Sequence, residues 1–288
     1  MNNKVKILVA YHKKDKLFKN DVLFPIHLGR EIAVEKTKDG NLSEKDYNWL
    51  LNSMAGDNTG DNISDKNRFL NEMTGIYWAW KNYEKLGNPD YIGLNHYRRF
   101  FKINYSNLDK YFQDYDFIKL SSPSFKMGIR AEWANCAKLN NLNSGDFDKF
   151  CEIYGQIYPQ DIKEFNSYIS KENHGGLMNL FIMKKEDFFR YCEWIFPLLF
   201  EIEKTFNKSN RTIGMIAERL TSYYLQKLEN EGKKALYTRL ADEPPEMTLR
   251  FFISKIFDIR TKEQSNGTKH VKLTLLGIVL NIKIKDKS

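Results

Sequence analysis

The sequence predicts an α/β domain, an open sheet of short strands flanked by long helices. Two observations carry this. Apolar runs of strand length recur at Lys6–Ala10, Tyr91–Leu94, Asp116–Leu120 and Leu177–Met183, and stretches of helical period cover residues 65–86, 186–206 and 211–231. The chain also has 288 residues, of which 42% are hydrophobic and 28% charged, enough to bury a large core and too apolar for general disorder. Interleaved strands and helices favour helices packed on a sheet over a bundle or a sandwich.

Taken in order, Ile7-Leu8-Val9 reads as a buried first strand with Tyr11, His12 and Lys13 at its carboxyl end. Ligands of open α/β sheets bind outside the carboxyl ends of strands, so polar residues there are site candidates, with an ordinary exposed loop as the alternative. Pro25-Ile26-His27-Leu28-Gly29 is a turn-and-strand fragment whose His27 suits either a site or simple packing. Residues 52–64 are rich in turn formers and end at a helix N-cap. The helix that follows, about residues 65–86, carries Phe69, Met73, Ile76, Tyr77, Trp80 and Tyr83 on one stripe, which assigns them to core. Asp61, Asn62, Asn67 and Glu72 are its polar exceptions, in the loop and the first turns of the helix, where ligand hydroxyls can be read. Gly87-Asn88-Pro89 ends the helix.

Tyr91, Ile92 and Leu94 form a short buried strand that runs straight into His96, Tyr97, Arg98 and Arg99. Guanidinium is permanently charged and makes paired hydrogen bonds to phosphate oxygens, so two arginines beside a histidine suit a diphosphate. The competing reading pairs both arginines with surface carboxylates.

Beyond them lie a short helix at 107–115, a strand at 116–120, a mobile loop over Phe125–Trp133 and a helix over Asp146–Tyr158. His174-Gly175-Gly176 precedes the next strand, and a glycine pair lets backbone approach a ligand closely. The helix over 186–206 contains Pro197, an expected kink. In the helix over 211–231, Glu218 and Arg219 sit beside the apolar stripe.

Cys136, Cys151 and Cys192 have no ligand-like spacing and read as reduced thiols of a cytoplasmic protein. The N-terminal apolar run is too short for a signal peptide, and no run reaches the roughly 18 apolar residues of a membrane span. The net charge is +8, yet residues 249–288 hold nine Lys and Arg against three Asp and Glu. Charge confined to a tail argues against nucleic-acid binding, as does the lack of a recognisable nucleic-acid motif. Residues 1–245 therefore read as the globular domain, 241–246 as a linker and 246–288 as a basic amphipathic tail. Within the tail, Leu249, Phe252, Ile253, Ile256 and Phe257 follow helical spacing and suit an anionic membrane surface, while 272–285 suits a β-hairpin arm or second interfacial element.

Several ordered blocks are similar to a bacterial family of capsular and exopolysaccharide glycosyltransferases, formerly catalogued as a domain of unknown function. They are Val9-Ala-Tyr-His-Lys13, Pro25-Ile-His-Leu-Gly29, Asp61-Asn-Ile-Ser64, Glu72-Met-Thr-Gly-Ile-Tyr-Trp-Ala-Trp-Lys-Asn82 and Tyr91-Ile-Gly-Leu-Asn-His-Tyr-Arg-Arg99. Met178–Lys184, Tyr191–Trp194 and Ile213–Leu220 continue the resemblance. It implies a GT-A-like, Rossmann-like mixed sheet and a hexosyltransferase that uses a nucleotide-sugar donor, UDP-linked and in some members galactofuranose. The implied acceptor is a lipid-linked glycan in capsular, exo- or lipopolysaccharide synthesis, reached with inversion at the cytoplasmic membrane face.

By the same resemblance Tyr11 stacks on uracil, His12 or Lys13 approaches ribose or phosphate, and His27 accompanies the nucleotide. His174 and the backbone of Gly175 and Gly176 are then candidates to contact donor sugar or acceptor, with a structural role the alternative for His174, and Tyr97 and Arg219 are expected to bind substrate. Glu218 is the expected base, ahead of Glu132 and Glu72, against a salt bridge to Arg219 or Arg211. Asp114-Tyr115-Asp116 is a literal DxD, but it precedes its strand instead of closing it. His96, Arg98 and Arg99 are instead expected to neutralise the departing diphosphate, so no metal is required, with Mg2+ or Mn2+ the alternative. The remaining alternative is a non-catalytic glycan-binding scaffold of the same fold.

Overall fold

The computed structural model describes residues 4–35, 41–121, 126–171, 178–206 and 211–246, together with three strands of the tail. A seven-stranded mixed sheet forms its centre, in the order β3-β2-β1-β4-β7-β6-β8. The strands are β1 (Val5–Tyr11), β2 (Leu23–His27), β3 (Ala55–Gly56), β4 (Tyr91–His96), β6 (Phe117–Leu120), β7 (Phe181–Lys184) and β8 (Ala235–Thr238). The first of these is parallel to β2 and β4, whereas β7 runs antiparallel to both of its neighbours, which makes the sheet mixed.

Both faces of the sheet are covered, which explains the continuous apolar runs of the central strands. On β1, Leu8 and Ala10 join the larger core, while Val5, Ile7, Val9 and Tyr11 join the smaller one. The larger core receives the helices α2 (Asn67–Leu70), α3 (Met73–Lys81), α5 (Gly128–Asn140), α6 (Asp146–Ile157), α7 (Ile162–Ser170), α8 (Lys185–Thr205) and α9 (Thr212–Asn230). The smaller core receives α1 (Glu44–Ser53), α4 (Leu108–Asp114) and the short strand β5 (Phe100–Phe101). Side chains alternate along a strand, so Ile92 and Leu94 of β4 point into the larger core and His96 follows them onto the same side.

Three expectations are corrected. The single helix over 65–86 is broken: α2 ends at Asn71, whose φ of 51 and ψ of −131 cannot continue a helix, and α3 starts at Met73. The Asn67 amide compensates the break, donating to Asn71 O at 2.7 Å and Thr74 Oγ1 at 2.9 Å. Second, residues 128–133, expected in a loop over Phe125–Trp133, begin the helix α5, because Ile129, Trp133, Cys136 and Ala137 form a buried stripe that intervening polar residues dilute. Third, 241–246 is no free linker. β9 (Leu240–Ala241) pairs with β5, and Glu243 bridges to Lys16.

Pro197 lies inside α8, and the helix runs through it. Asp116 precedes β6, which runs parallel to β4, so the DxD lies at the sheet edge away from His96; Asp116 is bound to Lys184 Nζ at 2.7 Å. All three cysteines are buried and free. No described helix is long and apolar enough to cross a membrane. In the tail, β10 (Phe257–Glu263), β11 (Thr268–Leu275) and β12 (Ile278–Lys285) form an antiparallel sheet. The expected amphipathic helix falls largely on residues 247–256, outside the described residues.

Candidate functional site

A cavity of about 310 Å³ opens at the carboxyl ends of β1 and β4. Ala10, Tyr11 and His12 form one wall, the helix break at Asn67, Asn71 and Glu72 a second, and His96 to Arg99 a third, closed by Arg211 just before α9. Ala10 is the register partner of His96, so a small residue leaves room beside the imidazole.

One side of the cavity is cationic. His96 and Arg99 exchange backbone hydrogen bonds of 3.0 Å each, so Tyr97 and Arg98 form a two-residue turn at the end of β4. The Arg98 guanidinium donates to Asp15 Oδ2 from Nε at 2.9 Å and from Nη2 at 2.6 Å. Arg99 is exposed and makes no ion pair with a described residue. Arg211 donates from Nε to Asn71 Oδ1 at 2.9 Å. Three guanidiniums around one cavity form a receptacle for a polyanion.

The other side carries groups able to exchange protons. His96 Nε2 lies 3.7 Å from Glu72 Oε1. Burial lowers the His96 pKa below the ordinary 6.5 and outweighs the opposing charge of Glu72. The imidazole is thus neutral at pH 7, and positive charge in the cavity comes from the arginines. Burial first, and then the charge of Glu72, raise the pKa of Glu218 to about 7; Arg219, the Met178 backbone and Arg211 oppose this. A carboxyl tuned near neutrality is suited to taking a proton from a hydroxyl.

Met178, whose backbone stands beside both His96 and Glu218, has φ 86 and is followed by Asn179 at φ 55. Positive φ at an unbranched but bulky methionine costs about 1–3 kcal/mol and persists only where the surroundings enforce it. Asn179 supplies that enforcement: it is 1% exposed, and its Oδ1 lies 2.7 Å from Thr221 Oγ1, itself 2.6 Å from Tyr191 OH.

Of the residues expected at a site, Tyr11, His12, Asn67, Glu72, His96, Tyr97, Arg98 and Arg99 line the cavity, and Glu218 adjoins Glu72. Lys13 is exposed outside that lining. Tyr11 is only 1% exposed, its hydroxyl donates to Lys16 O at 2.8 Å, and Tyr97 stacks on its ring, so it has no open face for a base. His27 is a packing residue: it is buried, accepts from Arg30 Nε at 3.2 Å, and has its pKa lowered to about 3 by burial and by the charges of Arg30 and His12.

Asp61 accepts from Tyr77 OH at 3.1 Å, and Asn62 shapes its own turn through Gly60 O and Ser64 N, so both serve the loop away from the cavity. Arg219 is buried and bonds Glu132 from Nη2 at 2.7 and 3.0 Å while lying over Trp133, so this pair ties α9 to α5. His174, Gly175 and Gly176 lie outside the described residues.

Arg211, Asn71 and Met178 were not among the residues expected at the site. The only signal for them was position: an arginine just before a helix, and an asparagine beside Glu72. Among the described residues no cluster of three His, Cys, Asp or Glu forms a metal ligand set.

Comparison with solved structures finds the apo structure of WbbM, a bifunctional glycosyltransferase, with TM-score 0.64 and 25% identity. The match covers 83% of this chain and 45% of WbbM, so the chain spans less than half of that protein. No curated protein matches. The family described as domain of unknown function DUF4422 matches residues 6–231, most of the chain, and the protein belongs to that family.

Proposed function

We propose that this protein is a glycosyltransferase that moves a hexose from a UDP-linked donor to a lipid-linked glycan acceptor in capsular, exo- or lipopolysaccharide synthesis. One observation carries the reading. A cavity at the carboxyl ends of the central parallel strands has three arginines on one side and a near-neutral carboxyl beside the other. Similarity to the glycosyltransferase WbbM supports the reaction class.

In this reading Arg99 and Arg211, joined by Arg98 once it leaves Asp15, receive the diphosphate. The acceptor hydroxyl attacks the anomeric carbon from the opposite side as the bond to the diphosphate oxygen breaks, which inverts the configuration. Glu218 takes the hydroxyl proton, and the nucleoside diphosphate departs with its new charge held by the guanidiniums. Fixed cations in this role make a divalent metal dispensable, so activity should persist in excess chelator. Full loss of activity, restored by manganese or magnesium, would refute metal independence.

The identifying experiment is a donor-hydrolysis screen across UDP-, GDP- and dTDP-sugars that includes UDP-galactofuranose. Release of UDP from one UDP-sugar is the expected result. Nucleotide binding without turnover of any donor, with or without glycan acceptors, would favour a non-catalytic scaffold.

A further inference from the structure

Asn71 stands at the cavity wall at a cost to the fold. Its φ of 51 and ψ of −131 belong to the positive-φ region in which glycine is the unstrained residue. The residue is 6% exposed, and its Nδ2 is buried without a hydrogen-bond partner among the described residues. A buried amide left unpaired opposes folding, and a glycine would carry no such group. The backbone duties of the position need no side chain. Asn71 N donates to Asn67 O at 2.9 Å, and Asn71 O accepts from Asn67 Nδ2 at 2.7 Å and from Thr74 N at 3.3 Å.

What asparagine adds is one contact: its Oδ1 accepts from Arg211 Nε at 2.9 Å. Arg211 is the N-cap of α9, and a Cβ on Gly214, one turn further on, would stand 2.1 Å from Asn71 Nδ2. The amide therefore lies against the first turn of α9 with its carbonyl oxygen on the arginine. Arg211 itself is exposed and lines the cavity. A long exposed side chain loses rotamer freedom when it binds an anion, and that loss weakens binding unless it has been met beforehand. A guanidinium held at Nε keeps its Nη1 and Nη2 edge for paired hydrogen bonds to phosphate oxygens.

We propose that Asn71 is a positioning residue, which anchors Arg211 through Nε so that the guanidinium stands ready for the diphosphate of the donor. This role rests on the nucleotide-sugar reading above and names the residue that presents one of its three cations. Asn71 acts through Arg211, and the strained backbone and unpaired amide are the stability given up for that preorganisation.

Glycine at position 71 removes the anchor and relieves both costs, so a structural role and a positioning role predict opposite results. Binding of inorganic pyrophosphate and of UDP is measured by calorimetry on the full chain and on Asn71→Gly, Arg211→Ala and the double variant, with a thermal melt of each. Asn71→Gly should melt no lower than the parent and bind both ligands about three- to tenfold more weakly. Arg211→Ala should weaken both at least as much, and adding Asn71→Gly to it should cause no further loss, because the two residues act as one unit. Parental affinity in Asn71→Gly beside weakened binding in Arg211→Ala overturns the anchor and leaves the diphosphate reading standing. A further loss in the double variant overturns it as well. A lower melting temperature of Asn71→Gly, or its failure to fold, would show that the asparagine is kept for packing and overturns it too. If the parent binds neither ligand, or Arg211→Ala binds both as the parent does, the diphosphate reading of Arg211 falls and the anchor with it.

Discussion

At the residue scale the account turns on Glu218. Replacing it by Gln removes the base and keeps its shape, so kcat should fall about 10²- to 10⁴-fold with donor affinity little changed. Unchanged turnover in a steady-state assay would remove Glu218 from the mechanism. Its pKa of about 7 makes a second prediction. A base must be deprotonated, so kcat/KM should decline on the acid side of pH 7. Glu72→Gln deletes the negative charge that helps raise Glu218, and the acid limb should move to lower pH; an unmoved limb would contradict the coupling.

The same shift acts on stability. A carboxyl whose pKa rises on folding stabilises the fold below its unfolded value of 4.5 and loses that contribution as pH climbs toward 7. Glu218→Gln should therefore melt higher than the parent at pH 8 and close to it at pH 4. The difference is at most about 3 kcal/mol, less where solvent reaches the half-buried carboxyl.

The placement of His96, Arg98 and Arg99 on one cavity, with Glu218 next to Glu72, was legible in the sequence because a strand of period two and a helix of period 3.6 fix where their side chains fall. Arg211 and Met178 were not, since their roles depend on which elements meet. Tyr11 and His27 misled for the related reason that position at a strand end says nothing about burial.

At the element scale the decisive feature is the break between α2 and α3. The apolar stripe stays in phase through it, so the pattern reads as one helix. What produces the break is tertiary: α9 approaches Asn71 so closely that a Cβ on Gly214 would stand 2.1 Å from Asn71 Nδ2. That close approach holds Asn71 and Glu72 at the cavity wall. Gly214→Ala should lower stability by about 1–3 kcal/mol through overpacking, and raise KM by displacing Glu72. Thermal melts and donor titration check both effects, and a variant with parental values in both would show that the contact does not set the site. Antiparallel β7 was similarly illegible, because pairing direction leaves no mark on a four-residue apolar strand.

At the scale of the whole molecule, charge is divided between a nearly balanced body and a basic tail. The +6 excess of residues 249–288 leaves +2 for the rest. Each basic group near an anionic leaflet contributes about 1 kcal/mol, so under the proposed function, with a lipid-linked acceptor, the tail would suit an anionic membrane surface. Removing 249–288 should abolish sedimentation with anionic vesicles and leave turnover of a soluble acceptor analogue intact. Sedimentation that survives the truncation would place the membrane contact elsewhere or remove it. The α/β class was legible from interleaved periodicities, whereas the packing of 241–246 onto β5 was not, because short edge pairings have no periodicity to read.

The central claim is that arginines at the end of β4 and before α9 receive the diphosphate of an activated sugar. A crystal structure with UDP tests it most directly. The account predicts phosphate oxygens within hydrogen-bond distance, ~3.2 Å or less, of the Arg99 and Arg211 guanidiniums. UDP bound in another cavity, with Arg98 still held by Asp15 and Arg99 and Arg211 contacting no phosphate, would contradict it.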